Sequence, residues 1–136
     1  MIKCGVDTIE INRLEKINPA IRERFLQRVF TKRELAQARN RNDILSGLFA
    51  TKEAVSKTLG SGIGLVNWRD IEILNLPSGE PTLYLHNNAA EIAAEKGLND
   101  WSISISHDRN KAIAIAVATN KFISNHTNQK KSLTFR

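Results

Sequence analysis

Apolar and polar positions change period along the chain, and each change marks an element. Residues 2–11 open as an alternating strand, with Ile2, Cys4 and Val6 on one face. Asp7 interrupts, and Ile9 and Ile11 resume on the opposite parity. Asp7 either faces water at a strand end or lies inside an apolar strand, where a carboxylate is costly unless a cation or partner meets it. Asn18-Pro19 predicts a helix start, with Asn at the N-cap and Pro at the first position. Ile21, Phe25, Leu26 and Val29 form its inward stripe, and Arg22, Arg24 and Arg28 fall largely off it. Thr31 and Glu34 predict a capping box for a short helix with Leu35 and Ala38 inward. After the polar break at 39–43, Asp43 is placed to cap a longer helix. Its inward positions are Ile44, Leu45, Leu48, Val55 and Leu59, and Gly60 ends it.

Two alternating runs, 70–76 and 82–86, flank the turn residues Pro77-Ser78-Gly79-Glu80-Pro81 and predict a hairpin. Asn88 and Glu91 form a cap pattern for an Ala-rich helix that Gly97 closes. Residues 101–107 put Ile103, Ile105 and His107 on one face and Ser102, Ser104 and Ser106 on the other. Residues 111–119 alternate alanines with Ile113, Ile115 and Val117. These two strands are expected to pair antiparallel across Asp108-Arg109-Asn110, and their small-residue faces to admit a helix closely. From about Asn120 the chain is polar and without period. The expectation is an α+β fold, an antiparallel sheet packed with helices, in a domain over 1–119 with a polar tail or extension over 120–136.

Composition narrows the class. A chain of 136 residues fits one core. No apolar run approaches the roughly 20 residues of a spanning helix, and MIKCGVDTIEI does not read as a signal peptide. Cys4 is the sole cysteine, so no intrachain disulfide forms. A reducing, cytoplasmic setting is expected, with Cys4 a small core residue rather than a nucleophile. The net charge is +6, and the segment from Arg13 to Arg41 carries all of it. Such a segment is either a solvated helical face or a surface for an acidic partner. Nucleic acid fits less well. Phe25 and Phe30 are the only aromatic residues there, and no helix-turn-helix, zinc or RNA-binding signature occurs.

One stretch, FATKEAVSKTLGSGIG at 49–64, combines a carboxylate, an ammonium and glycines. Glu53 and Lys57 share a helical face that Ser56 and Gly60 continue. The group could hold a metal ion and a phosphate. Equally, Glu53 and Lys57 form an ordinary surface pair, contributing roughly 0.3–0.5 kcal/mol, and Gly60 an ordinary cap.

Taken with GVDTIEINR at 5–13 and SISISH at 102–107, this stretch resembles the holo-acyl-carrier-protein synthase family of 4′-phosphopantetheinyl transferases. The resemblance covers about residues 2–119. It implies transfer of phosphopantetheine from coenzyme A to a serine of an acyl carrier protein, with adenosine 3′,5′-bisphosphate released. It also implies a trimer with sites at subunit boundaries, and Mg²⁺. Carried over residue by residue, it makes Asp7 and Glu53 the metal carboxylates and Lys57 a catalytic phosphate contact. Ser56, Lys57, Gly60, Ser61, Gly62 and His107 fall at coenzyme A-binding positions. Arg13, Arg24 and Arg28 fall where an acidic carrier is contacted. Leu48 departs from the pattern, standing where an Arg is common; Lys52 or Arg41 could replace that anion contact. Asp108 stands where a hydroxyl residue is common, and Lys3 where Gly is frequent. Those departures motivate a second expectation, a non-catalytic relative that binds coenzyme A or a carrier without transfer.

Overall fold

A computed structural model of the chain describes residues 1–121 and the strand at 133–135. The chain opens with β1 (Ile2–Glu10) and turns through α1 (Asn12–Lys16), a short helix with no clear sequence signal. Next comes α2 (Pro19–Val29), capped as expected: Asn18 Oδ1 accepts from Ala20 N–H at 2.9 Å. The capping box of α3 (Lys32–Ala38) forms as well, Thr31 Oγ1 accepting from Glu34 N–H at 3.1 Å while Glu34 Oε1 accepts from Thr31 N–H at 2.9 Å. The central helix α4 (Asn42–Leu59) starts one residue before Asp43. Asp43 therefore sits in the first turn, clamped by Arg41 at 2.7 Å, and does not cap.

A 3-10 turn (Trp68–Asp70) leads into the hairpin of β2 (Ile71–Asn75) and β3 (Pro81–Leu85). Helix α5 (Asn87–Glu95) has His86 at its cap; Asn88 instead donates its side-chain amide to Leu65 O at 3.1 Å. Strands β4 (Asp100–His107) and β5 (Lys111–Thr119) pair antiparallel as expected. One sheet has the order β1-β5-β4. The second is β2-β3 extended by β6 (Leu133–Phe135), which pairs with β3. So the last part of the expected tail returns to the small sheet. Residues 122–132 and 136 of that tail lie outside the described residues.

Register decides which faces are buried. Directly opposed residues of antiparallel strands share a face. Gly5 opposes Ala116 and Ile103 opposes Ala116 from the other side, so Gly5, Ile9, Trp101, Ile103 and the alanines of β5 face α4. Ser102, Ser104 and Ser106 oppose Val117, Ile115 and Ile113, on the far face. The small-residue faces of β4 and β5 thus lie on opposite sides, and only the alanine side takes the helix. The far face also carries Ile2, Cys4 and Val6 of β1. Cys4, expected in the core, is exposed there. Ile2, Val6, Ile113 and Ile115 are 73%, 53%, 47% and 44% exposed. The parity change at Asp7 reflects one continuous strand with apolar residues on both faces. Ile21, expected in the stripe of α2, is also exposed; Leu26 and Val29 are buried and Phe25 is half-buried.

One ion pair lies wholly inside. Lys52 and Glu34 are both fully buried, with Nζ 2.8 Å from Oε1. Lys52 also donates to Trp68 O and Ile71 O, and Glu34 Oε2 accepts from Ile73 N–H at 3.0 Å. Burial pushes the Lys52 ammonium down and the Glu34 charge opposes that. The pair ties α3 and α4 to β2, and Lys52 cannot replace the anion contact missing at Leu48.

Candidate active site

The site begins at a glycine. A Cβ on Gly5 would lie 2.2 Å from Ala54 O and 2.8 Å from Thr58 Oγ1, so no larger residue lets α4 lie this close to β1. The alanines of β5 continue the flat bed beneath the helix. Two residues along the same face, Asp7 meets Lys57: Nζ donates to Asp7 Oδ1 and to Val6 O, each at 3.0 Å. Glu53 stands one turn back on α4. Burial pushes its carboxyl above the ordinary range, the Asp7 charge adds to that, and Lys57 opposes it. Lys57 makes its ion pair with Asp7 across the strand. The surface-pair alternative for Glu53 and Lys57 therefore does not describe this helix end, where three charges from two elements meet.

Helix α4 stops where the glycines begin. Gly60 has φ +74° and its N–H donates to Ser56 O and Lys57 O. Lys96, just beyond α5, donates to Leu59 O and steadies the same end. Gly62 has φ +66°, a shape other residues resist. Between them, Ser61 Oγ is buried with no hydrogen-bond partner among the described residues. Ser56 is 2% exposed, and its hydroxyl donates to Glu53 O at 2.8 Å. For Ser56 to donate to a phosphate oxygen that bond has to break, since a hydroxyl has a single proton to donate.

His107 does not join the carboxylates. It lies on the same sheet face as Asp7, two strands and one two-residue step away, which puts the Cα atoms roughly 12 Å apart. There it lines a groove with Arg41, Asp43, Asp108 and Arg109. The Asp108 carboxylate is turned into the β4–β5 connection. Its Oδ1 accepts from Asn110 N–H at 2.7 Å and Lys111 N–H at 2.8 Å, bonds that hold the carboxyl below its usual range. Leu48 is 3% exposed and belongs to the core. Arg41 stays in this groove, paired with Asp43.

The basic segment divides in two. Arg22 donates to Asn40 Oδ1 at 2.8 Å and Asn42 Oδ1 at 2.7 Å, Arg33 stands 3.8 Å from Glu72, and Arg41 holds Asp43. Arg13, Arg24 and Arg28 are exposed and make no ion pair among the described residues. The positioning roles of Gly5, Arg22 and Lys96 are not legible in the sequence. Each depends on a neighbour 18 or more positions away. The signal that comes nearest is Gly5, a glycine inside an alternating strand, which marks close approach of another backbone.

Comparison with known proteins shows the family and the fold. A family model for the 4′-phosphopantetheinyl transferase superfamily matches residues 3–118. The holo-[acyl-carrier-protein] synthase of Alkaliphilus metalliredigens is 45% identical over 131 residues, covering 88% of this chain and all of the relative. That of Natranaerobius thermophilus is 42% identical over 120 residues, covering 86% and 96%. The crystal structure of the Helicobacter pylori holo-[acyl-carrier-protein] synthase in complex with coenzyme A superposes with a TM-score of 0.77 at 34% identity, covering 88% of this chain and all of that one.

Proposed function

The chain belongs to the holo-[acyl-carrier-protein] synthase family of the 4′-phosphopantetheinyl transferase superfamily, and from that premise we propose how its residues carry the reaction. It transfers 4′-phosphopantetheine from coenzyme A to a serine of apo acyl carrier protein and releases adenosine 3′,5′-bisphosphate. The observation that carries our assignment is the meeting of Asp7, Glu53 and Lys57 where β1 crosses α4.

The serine oxygen forms a bond to the β-phosphorus of coenzyme A. The bond from that phosphorus to the bridging oxygen breaks, and the bisphosphate leaves with the electron pair. Glu53, one turn before Lys57 on α4, takes the serine proton. Lys57 turns from Asp7 toward the pyrophosphate and meets the charge on the leaving oxygen. Beyond Gly60, whose N–H closes the helix, the turn offers the backbone N–H groups of Ser61 and Gly62 to phosphate. His107 and Arg109 offer further donors in a groove where Arg41 is held by Asp43, and a neighbouring copy's coenzyme A would meet them there.

The donor set suits Mg²⁺. Asp7 and Glu53 present hard carboxylate oxygens, and their mutual repulsion is relieved by a cation. Among the described residues no group of three or more His, Cys, Asp or Glu side chains is placed to hold a metal ion, so Asp7 and Glu53 would be the chain's own contribution. When bound, Mg²⁺ supplies neutralisation of pyrophosphate charge. The apolar far face of the β1-β5-β4 sheet is the surface by which we take the chain to form a trimer. Acidic carrier protein is drawn to Arg13, Arg24 and Arg28. No described helix is long and apolar enough to cross a membrane.

The test is release of adenosine 3′,5′-bisphosphate, followed by chromatography with coenzyme A, Mg²⁺ and apo carrier. Asp7→Ala and Glu53→Ala are expected to lower the rate by about 100-fold or more. Full activity in both folded variants would refute the assignment.

A further inference from the structure

The segment from Leu59 to Leu65 carries three glycines, and all three take positive φ: Gly60 at +74°, Gly62 at +66° and Gly64 at +137°. Such a stretch holds its shape poorly by itself, because glycine has the widest choice of conformations. Little restrains it from within. Among the described residues nothing accepts from Ser61 N–H or Gly62 N–H, and Gly64 N–H reaches Val66 O at 3.3 Å. Both ends of the segment are held from outside, by one helix. Lys96, at the C-terminal cap of α5, donates from Nζ to Leu59 O. Asn88, in the first turn of α5, donates to Leu65 O at 3.1 Å.

Helix α5 is a firm base for these contacts. Ala89 and Ala93 are fully buried, and Leu98 N–H donates to Ala93 O at 2.8 Å and closes the helix end. Lys96 N–H donates to Ile92 O at 3.1 Å, so its side chain starts from a fixed backbone. The ammonium makes no ion pair among the described residues. It is committed to the turn: a Cβ on Gly60 would lie 3.1 Å from Lys96 Nζ. Without that ammonium, Leu59 O is one of the carbonyls that a helix end leaves unpaired, and the last turn of α4 frays more readily.

We propose that Lys96 is a positioning residue for coenzyme A: it holds Gly60 where Ser61 N–H and Gly62 N–H can meet the donor's phosphate. The effect passes through Leu59 O and the backbone, so the ammonium need not touch the donor. Binding gains because the two N–H groups are in place before the donor arrives. This rests on the transferase function above and adds α5 to the donor side of the site.

Steady-state kinetics and amide hydrogen exchange test it together. Lys96→Met keeps most of the side-chain length and removes the hydrogen-bond donor. KM for coenzyme A is expected to rise about fivefold, with kcat and carrier KM within about twofold of the parent. Lys96→Arg is expected to recover most of the loss. Exchange without coenzyme A reads the turn itself. Gly60 N–H, bonded to Ser56 O, is expected to exchange about fivefold faster in Lys96→Met, with the amides of β5 at the parent rate. An unchanged KM for coenzyme A overturns the proposal. A raised KM with Gly60 exchange at the parent rate overturns it too and makes Lys96 a direct contact of the donor. Faster exchange across β5 together with a fall in kcat overturns it and makes Lys96 a support of the whole fold. Inactivity of the parent protein is a different result: it refutes the transferase function, and the affinity for coenzyme A, read by calorimetry, then decides the role of Lys96 in place of KM.

Discussion

Glu53 is held in a place unfavourable to its own charge, and that has a measurable sign. Unfolded, its carboxyl titrates near the ordinary 4.5; folded, burial and Asp7 raise it. The folded protein therefore keeps a proton the unfolded chain has lost, and stability falls as pH rises from about 4.5 through the raised value. Glu53→Gln carries no charge to penalise. In scanning calorimetry without divalent cations, parent and variant are expected to melt alike at pH 4. At pH 7.5 the variant is expected to melt roughly 1–4 °C higher. A lower melting temperature at pH 7.5 contradicts this environment for Glu53. Lys57→Met removes the ammonium and leaves Asp7 half-buried beside Glu53. Its kcat is expected to fall about 100-fold or more, with carrier KM little changed; a kcat within threefold of the parent speaks against a phosphate role. The types and spacing of Asp7, Glu53 and Lys57 are legible in the sequence. That Lys57 pairs with Asp7 rather than Glu53 is not, since it depends on how closely a strand and a helix approach.

At the scale of elements, α4 on β1 is the contact that makes the site. Gly5→Ala places a methyl carbon against Ala54 O. It is expected to cost about 1–3 kcal/mol in urea unfolding and to lower activity together with stability. Unchanged stability would mean that the helix shifts without cost. A second joint is Lys52 with Glu34. Lys52→Met leaves a buried carboxylate without its cation and is expected to cost about 3–5 kcal/mol; adding Glu34→Gln is expected to recover part of that. A double variant worse than the single one contradicts the pairing. Most elements could be read beforehand because capping and alternation are local: Asn18-Pro19, the Thr31–Glu34 box and the Gly60 stop all stand where expected. The caps of α4 and α5 fall two residues earlier than expected, at Arg41 and His86, and Asp43 and Asn88 pair instead with Arg41 and Leu65 O. The sides taken by Ser102, Ser104 and Ser106 could not be read, because alternation defines two faces without saying which one the helix covers.

Across the whole molecule, Ile2, Val6, Ile113 and Ile115 leave one face of the main sheet apolar and uncovered. Burial of that face between copies, as proposed above, would account for a strand that is apolar on both sides, the feature that made Cys4 look like a core residue. Ile115→Asp is expected to lower the oligomer's mass in sedimentation velocity and to lower activity with it, if copies share a site. An unchanged mass contradicts the assignment of that face. The central claim is that one small domain transfers phosphopantetheine, and intact-mass spectrometry of the carrier tests it most directly. The protein is incubated with coenzyme A, Mg²⁺ and a panel of apo acyl carrier proteins. At least one carrier is expected to gain the mass of a single phosphopantetheine group, and the same carrier with its acceptor serine replaced by alanine to gain none. A folded protein that adds no mass to any carrier in the panel would contradict the function argued from Asp7, Glu53 and Lys57.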